Sequence, residues 1–264
     1  MKAPLPLRTV QVVRYIMPLR EGGSLPGLVD ADDGFKYVIK FRGNGHGPKA
    51  LIAELIGGEV ARVLGLRVPE LVFAELDEAF GRTEGDEEIQ ELLQNSAGIN
   101  VGLHFLSGAI TFDPVVTDVD PMMASRIVWM DAFLTNIDRT ARNTNMLIWR
   151  RELWLIDHGS CLYFHHSWEN RAQHATGPFP LIKDHVLLPR ATHLQEANAE
   201  LAQRLTPEIL RGIVALVPDE WLSWPDAEGS PAELRAAYLD FLIARVAHAH
   251  VFTQAAEDAR QALV

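Results

Sequence analysis

The chain has 264 residues, 48% hydrophobic and 22% charged, a globular balance with length for one large domain or two lobes around a cleft. Its 35 Asp and Glu against 24 Lys and Arg give a formal charge of −11, which argues against a general nucleic-acid binder, since an acidic protein gains nothing from counterion release. The single cysteine, Cys161, excludes an internal disulfide and fits a reducing cytoplasm; with no secretory signal and no run of about 18 apolar residues, no membrane span is expected.

In chain order, residues 9–17 are rich in β-branched and aromatic types and read as a strand. Glu21-Gly22-Gly23-Ser24 follows as a glycine-rich turn, then Leu28-Val29 resumes a strand and Asp32-Asp33-Gly34 signals a hairpin. In the next strand, Phe35 to Phe41, the aromatics and Ile39 alternate with Lys36, Val38 and Lys40, which places both lysines on the opposite face. Pro48 opens a helix with apolar residues at Leu51, Leu55, Ile56, Val60 and Val63 and a stop at Gly65. Pro69 to Leu76 and Ile99 to Leu106 read as strands, separated by an acidic stretch, 77–95, expected as a solvated loop and short helix. Asp120-Pro121 caps a helix over 121–135, and Asn145 to Trp149 and Leu153 to Ile156 form a short hairpin around Arg150-Arg151-Glu152. Residues 160–180 read as loop, Thr206-Pro207 starts a helix, and Ser230-Pro231-Ala232-Glu233 is a capping box opening a long C-terminal helix. Five of the six tryptophans, Trp129, Trp149, Trp154, Trp221 and Trp224, are expected in the core. A strand-rich half before a helix-rich half gives an α+β protein of two lobes, 1–108 and 109–264.

Asp138, Asn143 and the Asp157-His158-Gly159 turn have the spacing of phosphoryl-transfer enzymes of the kinase type. Asn143 and Asp157 offer hard oxygen ligands for magnesium, and Asp138 is the group that faces an attacking hydroxyl. Lys40, with Glu54 fourteen residues on in the following helix, fits a lysine–glutamate pair serving the α- and β-phosphates of ATP; Lys36 and Lys49 compete for the cationic role. Gly22, Gly23 and Ser24 lie where a phosphate-covering loop belongs, although a plain hairpin turn has the same composition. Arg139 and Arg142 either bind phosphate or pair with an acid. The histidines 158, 165, 166 and 174 with Cys161 lack a compact four-ligand zinc spacing and read as loop residues near nucleotide or substrate.

Together, Tyr37-Val38-Ile39-Lys40-Phe41, the run Gly47 to Glu54, Leu64 to Pro69, Asn136-x-Asp138-Arg139-x-x-x-Asn143-x-Asn145 and Ile156-Asp157-His158-Gly159 resemble the HipA-like kinases, relatives of a bacterial toxin serine/threonine kinase. The chain looks like the compact branch of that family. The resemblance implies a two-lobed protein-kinase-like fold, ATP and magnesium in the cleft, Asp138 as catalytic base, Asn143 and Asp157 as metal ligands, and Lys40 on phosphate. It implies neither the acceptor nor an antitoxin-type partner. The expected activity is ATP-dependent phosphorylation of a Ser or Thr hydroxyl of a protein. The rivals are a small-molecule kinase on the same fold, a non-catalytic nucleotide-binding module, and nucleotidyl transfer from the same site.

Overall fold

The computed structural model describes residues 6–19, 25–45, 47–81, 85–224 and 229–263. The glycine-rich turn with Gly22, Gly23 and Ser24 lies outside the described residues. The N-terminal region contains β1 (Thr9–Pro18), β2 (Gly27–Ala31), β3 (Lys36–Lys40), α1 (Gly47–Val63), β4 (Leu71–Leu76), α2 (Glu87–Gln94) and β5 (Gly98–His104). The five strands close into a barrel in the order β1-β2-β3-β5-β4, sealed by parallel pairing of β1 with β4 at Thr9↔Phe73. Closure leaves no free strand edge to template association.

The alternation read from the sequence fills this barrel. Tyr37 and Ile39 of β3 point inward with Val10, Val12, Val29, Val72 and Ala74, while Lys36 is exposed and Lys40 leaves by the outer face. Phe35 departs from the expected aromatic face: it precedes the strand, is exposed, and meets His104 edge-on. The acidic stretch is not wholly solvated. Asp86 caps α2, and Ile89 and Leu93, one turn apart, join the barrel's interior cluster while the glutamates face out.

Helix α1 is buried continuously from Leu51 to Ala61 because it is pressed between the barrel wall and the helical region. A helix covered on all sides needs no polar stripe. Close passage depends on two glycines. A Cβ on Gly58 would lie 2.5 Å from Leu71, and one on Gly57 would lie 2.6 Å from the Cβ of His158.

After β5 the chain forms β6 (Ile110–Thr111), α3 (Pro121–Leu134), β7 (Met146–Trp149), β8 (Glu152–Leu155), α4 (Arg171–Thr176), α5 (Leu194–Leu201), α6 (Pro207–Val214), α7 (Pro231–Ala247) and α8 (Ala249–Gln261). Strands β6, β7 and β8 make a small separate sheet. Arg150 and Arg151 both take positive φ at the β7–β8 turn, the twist that a two-residue hairpin needs. Asp120 caps α3 through Met123 N–H, and Thr135, at φ +53°, ends it. The expected capping box of Ser230 and Glu233 is formed.

Two local expectations change, and one helix was not anticipated. Residues 160–180 are ordered as 3₁₀ turns at Tyr163–His166 and Trp168–Asn170 followed by α4. Helix α5 had no strong sequence signal. The C-terminal helix is broken at His248, and the turn lets Phe252 of α8 reach Trp129 of α3 at 5.5 Å. Trp129 and Trp221 are core residues, whereas Trp149 and Trp154 stack edge-on as a half-buried pair on the hairpin and Trp224 sits half-buried beneath Lys49. Trp221 also joins the two regions: its ring meets Phe73 of β4, and its Nε1–H donates to the carbonyl of Ile99 at 2.9 Å. The fold is mixed α+β, with a strand-rich N-terminal barrel and a helix-rich C-terminal region in a two-lobed kinase-like arrangement.

Candidate active site

Lys40 leaves β3 on the side away from the barrel interior and meets the face of α1 that carries Ala50, Glu54 and Gly57. Its Nζ donates to Glu54 Oε2 at 2.5 Å and to Asp157 Oδ1. Glu54 is fully buried, and its Oε2 also accepts the backbone N–H of His158 at 2.8 Å. Burial alone would raise the Glu54 carboxyl, but the Lys40 charge and the His158 donor overcome it and hold the group at about 2. Burial likewise disfavours the Lys40 ammonium, and Glu54 and Asp157 outweigh it, so Lys40 stays charged well above the ordinary lysine range. Lys36 instead pairs with Asp30 on the solvent side, and Lys49 lies over Trp224.

With Lys40 as the phosphate lysine, Lys40→Met is expected to weaken catalysis more than folding, and burial adds a stability cost to it. Here Lys40→Met would also strand the buried Glu54 carboxylate, with a destabilisation of about 3–5 kcal/mol, whereas Lys36→Met loses only a solvent-screened exposed pair and stays close to wild type. Urea unfolding of the two variants checks this ordering; equal losses would refute it.

Asp157 sits at φ +56°, a left-handed conformation that aspartate adopts more readily than most residues with a side chain, and its carboxylate is 35% exposed. Gly159 follows where a Cβ would stand 3.3 Å from Lys40 Nζ. The His158 ring is buried against Gly57, and its Nδ1 is 3.6 Å from Glu54 Oε1, beyond a hydrogen bond. His158 therefore packs as the aromatic of an Asp-Phe-Gly turn would, and is not a loop histidine facing ligand. His165 is buried too, bonded to the Tyr238 hydroxyl at 3.1 Å. A methyl at Gly57 would drive α1 off this turn. Gly57→Ala is expected to destabilise by about 1–3 kcal/mol, read as a lowered urea midpoint, while Gly45→Ala, with open space around it, stays within about 0.5 kcal/mol.

Asp138 lies in the loop after α3, half-buried, its backbone N–H donating to Asn136 Oδ1 at 3.1 Å. Its Oδ2 accepts two side-chain amides, Asn143 Nδ2 at 2.8 Å and Asn145 Nδ2 at 3.0 Å. Sequence reasoning gave Asn145 no role. Arg139 is buried and paired with Asp131 at 2.6 Å; its Nη1 donates to the carbonyls of Asn145 and of Ile156, the latter at 3.3 Å. Arg139 thus ties the Asp138 loop to the Asp157 turn, and Ile156 N–H adds a bond to Asn145 C=O at 3.0 Å. Arg142 is exposed.

The donor set fits magnesium. Asn143 turns its amide nitrogen to Asp138, which leaves its carbonyl oxygen for a cation, and Asp157 supplies a carboxylate at the cleft surface. No cluster of three His, Cys, Asp or Glu among the described residues forms a metal cage. Two protein oxygens completed by phosphate and water is the way magnesium is usually held.

The HipA-like kinase family matches residues 12–255. The fold is similar to that of CtkA, a proinflammatory kinase of Helicobacter pylori, at a TM-score of 0.55 and 13% identity, covering 98% of this chain and 100% of that one. A Golgi casein kinase with Mn/ADP bound is more distant, at a TM-score of 0.46 and 12% identity over 99% of this chain and 76% of that one. No curated protein matches significantly. No helix of the described residues is long and apolar enough to cross a membrane. With nearly its whole length matched, the chain belongs to the HipA-like kinase family.

Proposed function

We propose that the protein is an ATP-dependent phosphotransferase that phosphorylates a Ser or Thr hydroxyl of a protein. The observation that carries this reading is the linking of two assemblies: Lys40 held between Glu54 and Asp157, and Asp138 held by Asn143 and Asn145, with Arg139 bonded to both loops. Family membership supports a kinase-type activity in general.

In this reading Asp138 orients the acceptor hydroxyl and takes its proton as the oxygen bonds to the γ-phosphorus and the bond from that phosphorus to the β,γ-bridging oxygen breaks, releasing ADP. The two amide donors on Oδ2 hold the carboxylate in one orientation. Lys40 keeps Glu54 and turns its remaining N–H donors to phosphate. Asn143 and Asp157 would hold magnesium, which neutralises charge developing on the phosphate oxygens. Gly22, Gly23 and Ser24 are proposed to cover the phosphates.

Mass spectrometry of the protein incubated with Mg-ATP and a panel of protein acceptors tests the reading. A gain of one phosphate on a Ser or Thr supports it. A gain of AMP would replace it with nucleotidyl transfer, and phosphate appearing only on an added small hydroxyl compound would replace the protein acceptor.

A further inference from the structure

Behind the two loops lies a buried polar cluster of which the phosphotransfer reading uses only Arg139. Asp131 of α3 is fully buried, and its carboxylate accepts three side-chain donors: Asn136 Nδ2 at 2.8 Å on one oxygen, Arg139 Nε at 2.6 Å and His185 Nε2 at 2.9 Å on the other. Burial would raise this carboxyl, yet Arg139 and His185 keep it well below the usual carboxylate range. His185 is a neutral donor: its Nδ1 accepts the backbone N–H of Leu187 at 3.0 Å, which places the ring proton on Nε2, toward Asp131.

The partners of this cluster belong to four separate stretches of chain. Asp131 is in α3. Asn136 and Arg139 are in the Asp138 loop. Arg139 reaches the carbonyls of Asn145 and Ile156, beside Asn143 and Asp157. His185 comes from the segment 180–190, which also pairs by backbone with the loop, through the bridge Thr140↔His185 and Val186 N–H to Arg139 C=O at 3.1 Å. The same segment is open to solvent at Leu181, and Arg190 anchors it to the carbonyls of Pro114 and Thr117.

A buried Arg–Asp pair holds one geometry only while its remaining lone pairs are satisfied. Asp131 Oδ2 is shared by Arg139 and His185, so the His185 donor fixes the carboxylate orientation against which Arg139 is set. Arg139 in turn spans the loop of the candidate base and the turn of the candidate metal ligand. We propose that His185 is a positioning residue for phosphoryl transfer, acting through Asp131 and Arg139 to couple the 180–190 segment to both loops. The inference rests on the phosphotransfer reading above.

The test uses three substitutions that separate the two bonds of His185. Glutamine places an amide N–H near the position of Nε2 and restores the donor to Asp131. Asparagine places an oxygen near Nδ1 and restores only the acceptor for Leu187. Mg-ATP turnover and backbone hydrogen exchange at Thr140, Ile156 and Val186 are measured for each. His185→Ala and His185→Asn are expected to lower kcat about 10–100-fold with KM for Mg-ATP changing less than about threefold, and His185→Gln to recover to within about threefold of wild type. Exchange at Thr140 and Ile156 should quicken in the Ala and Asn variants and not in the Gln variant. Recovery by Asn and not Gln would overturn the proposal, because the Leu187 turn would then be the only role of His185. So would wild-type kcat and exchange in His185→Ala. Should His185→Ala fail to fold, the Gln–Asn contrast decides alone. If wild-type protein turns over no Mg-ATP, the phosphotransfer reading fails while the exchange pattern still upholds or overturns the coupling.

Discussion

Asp138→Asn is expected to lower phosphoryl transfer by about 10²–10⁴-fold, the range for loss of a positioned general base, while the fold and Mg-ATP affinity stay near wild type. The substitution keeps volume, and the carbonyl oxygen of an asparagine still accepts the amides of Asn143 and Asn145, so the loop geometry survives. What is lost is the charge proposed to take the hydroxyl proton. Arg139 and the Asp131 cluster hold the loop through bonds that do not involve the Asp138 side chain, which is why stability should hold within about 1 kcal/mol. Phosphate incorporation by mass spectrometry, beside thermal shifts with Mg-ATP, checks both halves. Unchanged incorporation would remove Asp138 from the chemistry.

Asp157→Ala should abolish the magnesium-dependent stabilisation by ATP. At ligand about 100-fold above its dissociation constant, that stabilisation is worth about 2.7 kcal/mol, so its loss is readily seen in a melting experiment. The carboxylate is the only charged oxygen donor of the candidate metal pair, and Lys40 retains Glu54 when Asp157 is gone. Alanine at φ +56° stays strained, so part of any fall in the ligand-free melting temperature belongs to the backbone. Asp157→Asn separates the effects, because asparagine tolerates that conformation and lacks the charge. Both variants should lose the magnesium-dependent shift, with the Asn variant closer to wild type without ligand. A full shift in either would remove Asp157 as the metal ligand.

Much of the site was legible because its signals are local. Asp138 and Asn143 lie in one loop, Asp157 lies two residues before a glycine, and Lys40 falls on the correct face of β3 by strand alternation alone. The capping box at Ser230 and the Asp120-Pro121 start of α3 depend on backbone geometry within four residues. His158 was misjudged for the complementary reason: its burial depends on Gly57, far earlier in the chain on α1, passing within contact of it.

The amino-acid sequence by itself therefore determined the order of the N-terminal elements, the α+β class and the candidate roles of Lys40, Asp138, Asn143 and Asp157, since these follow from periods of two and 3.6 residues and from short spacings along the chain. Only the tertiary structure decided that the strands close into a barrel, that the C-terminal helix breaks at His248 to seat Phe252 on Trp129, and that Asp131 and His185, 54 residues apart, meet as acceptor and donor behind the cleft. Such contacts leave no periodic trace. They arise where separate elements bury against one another, and a buried polar group must then find its partner wherever the packing brings one.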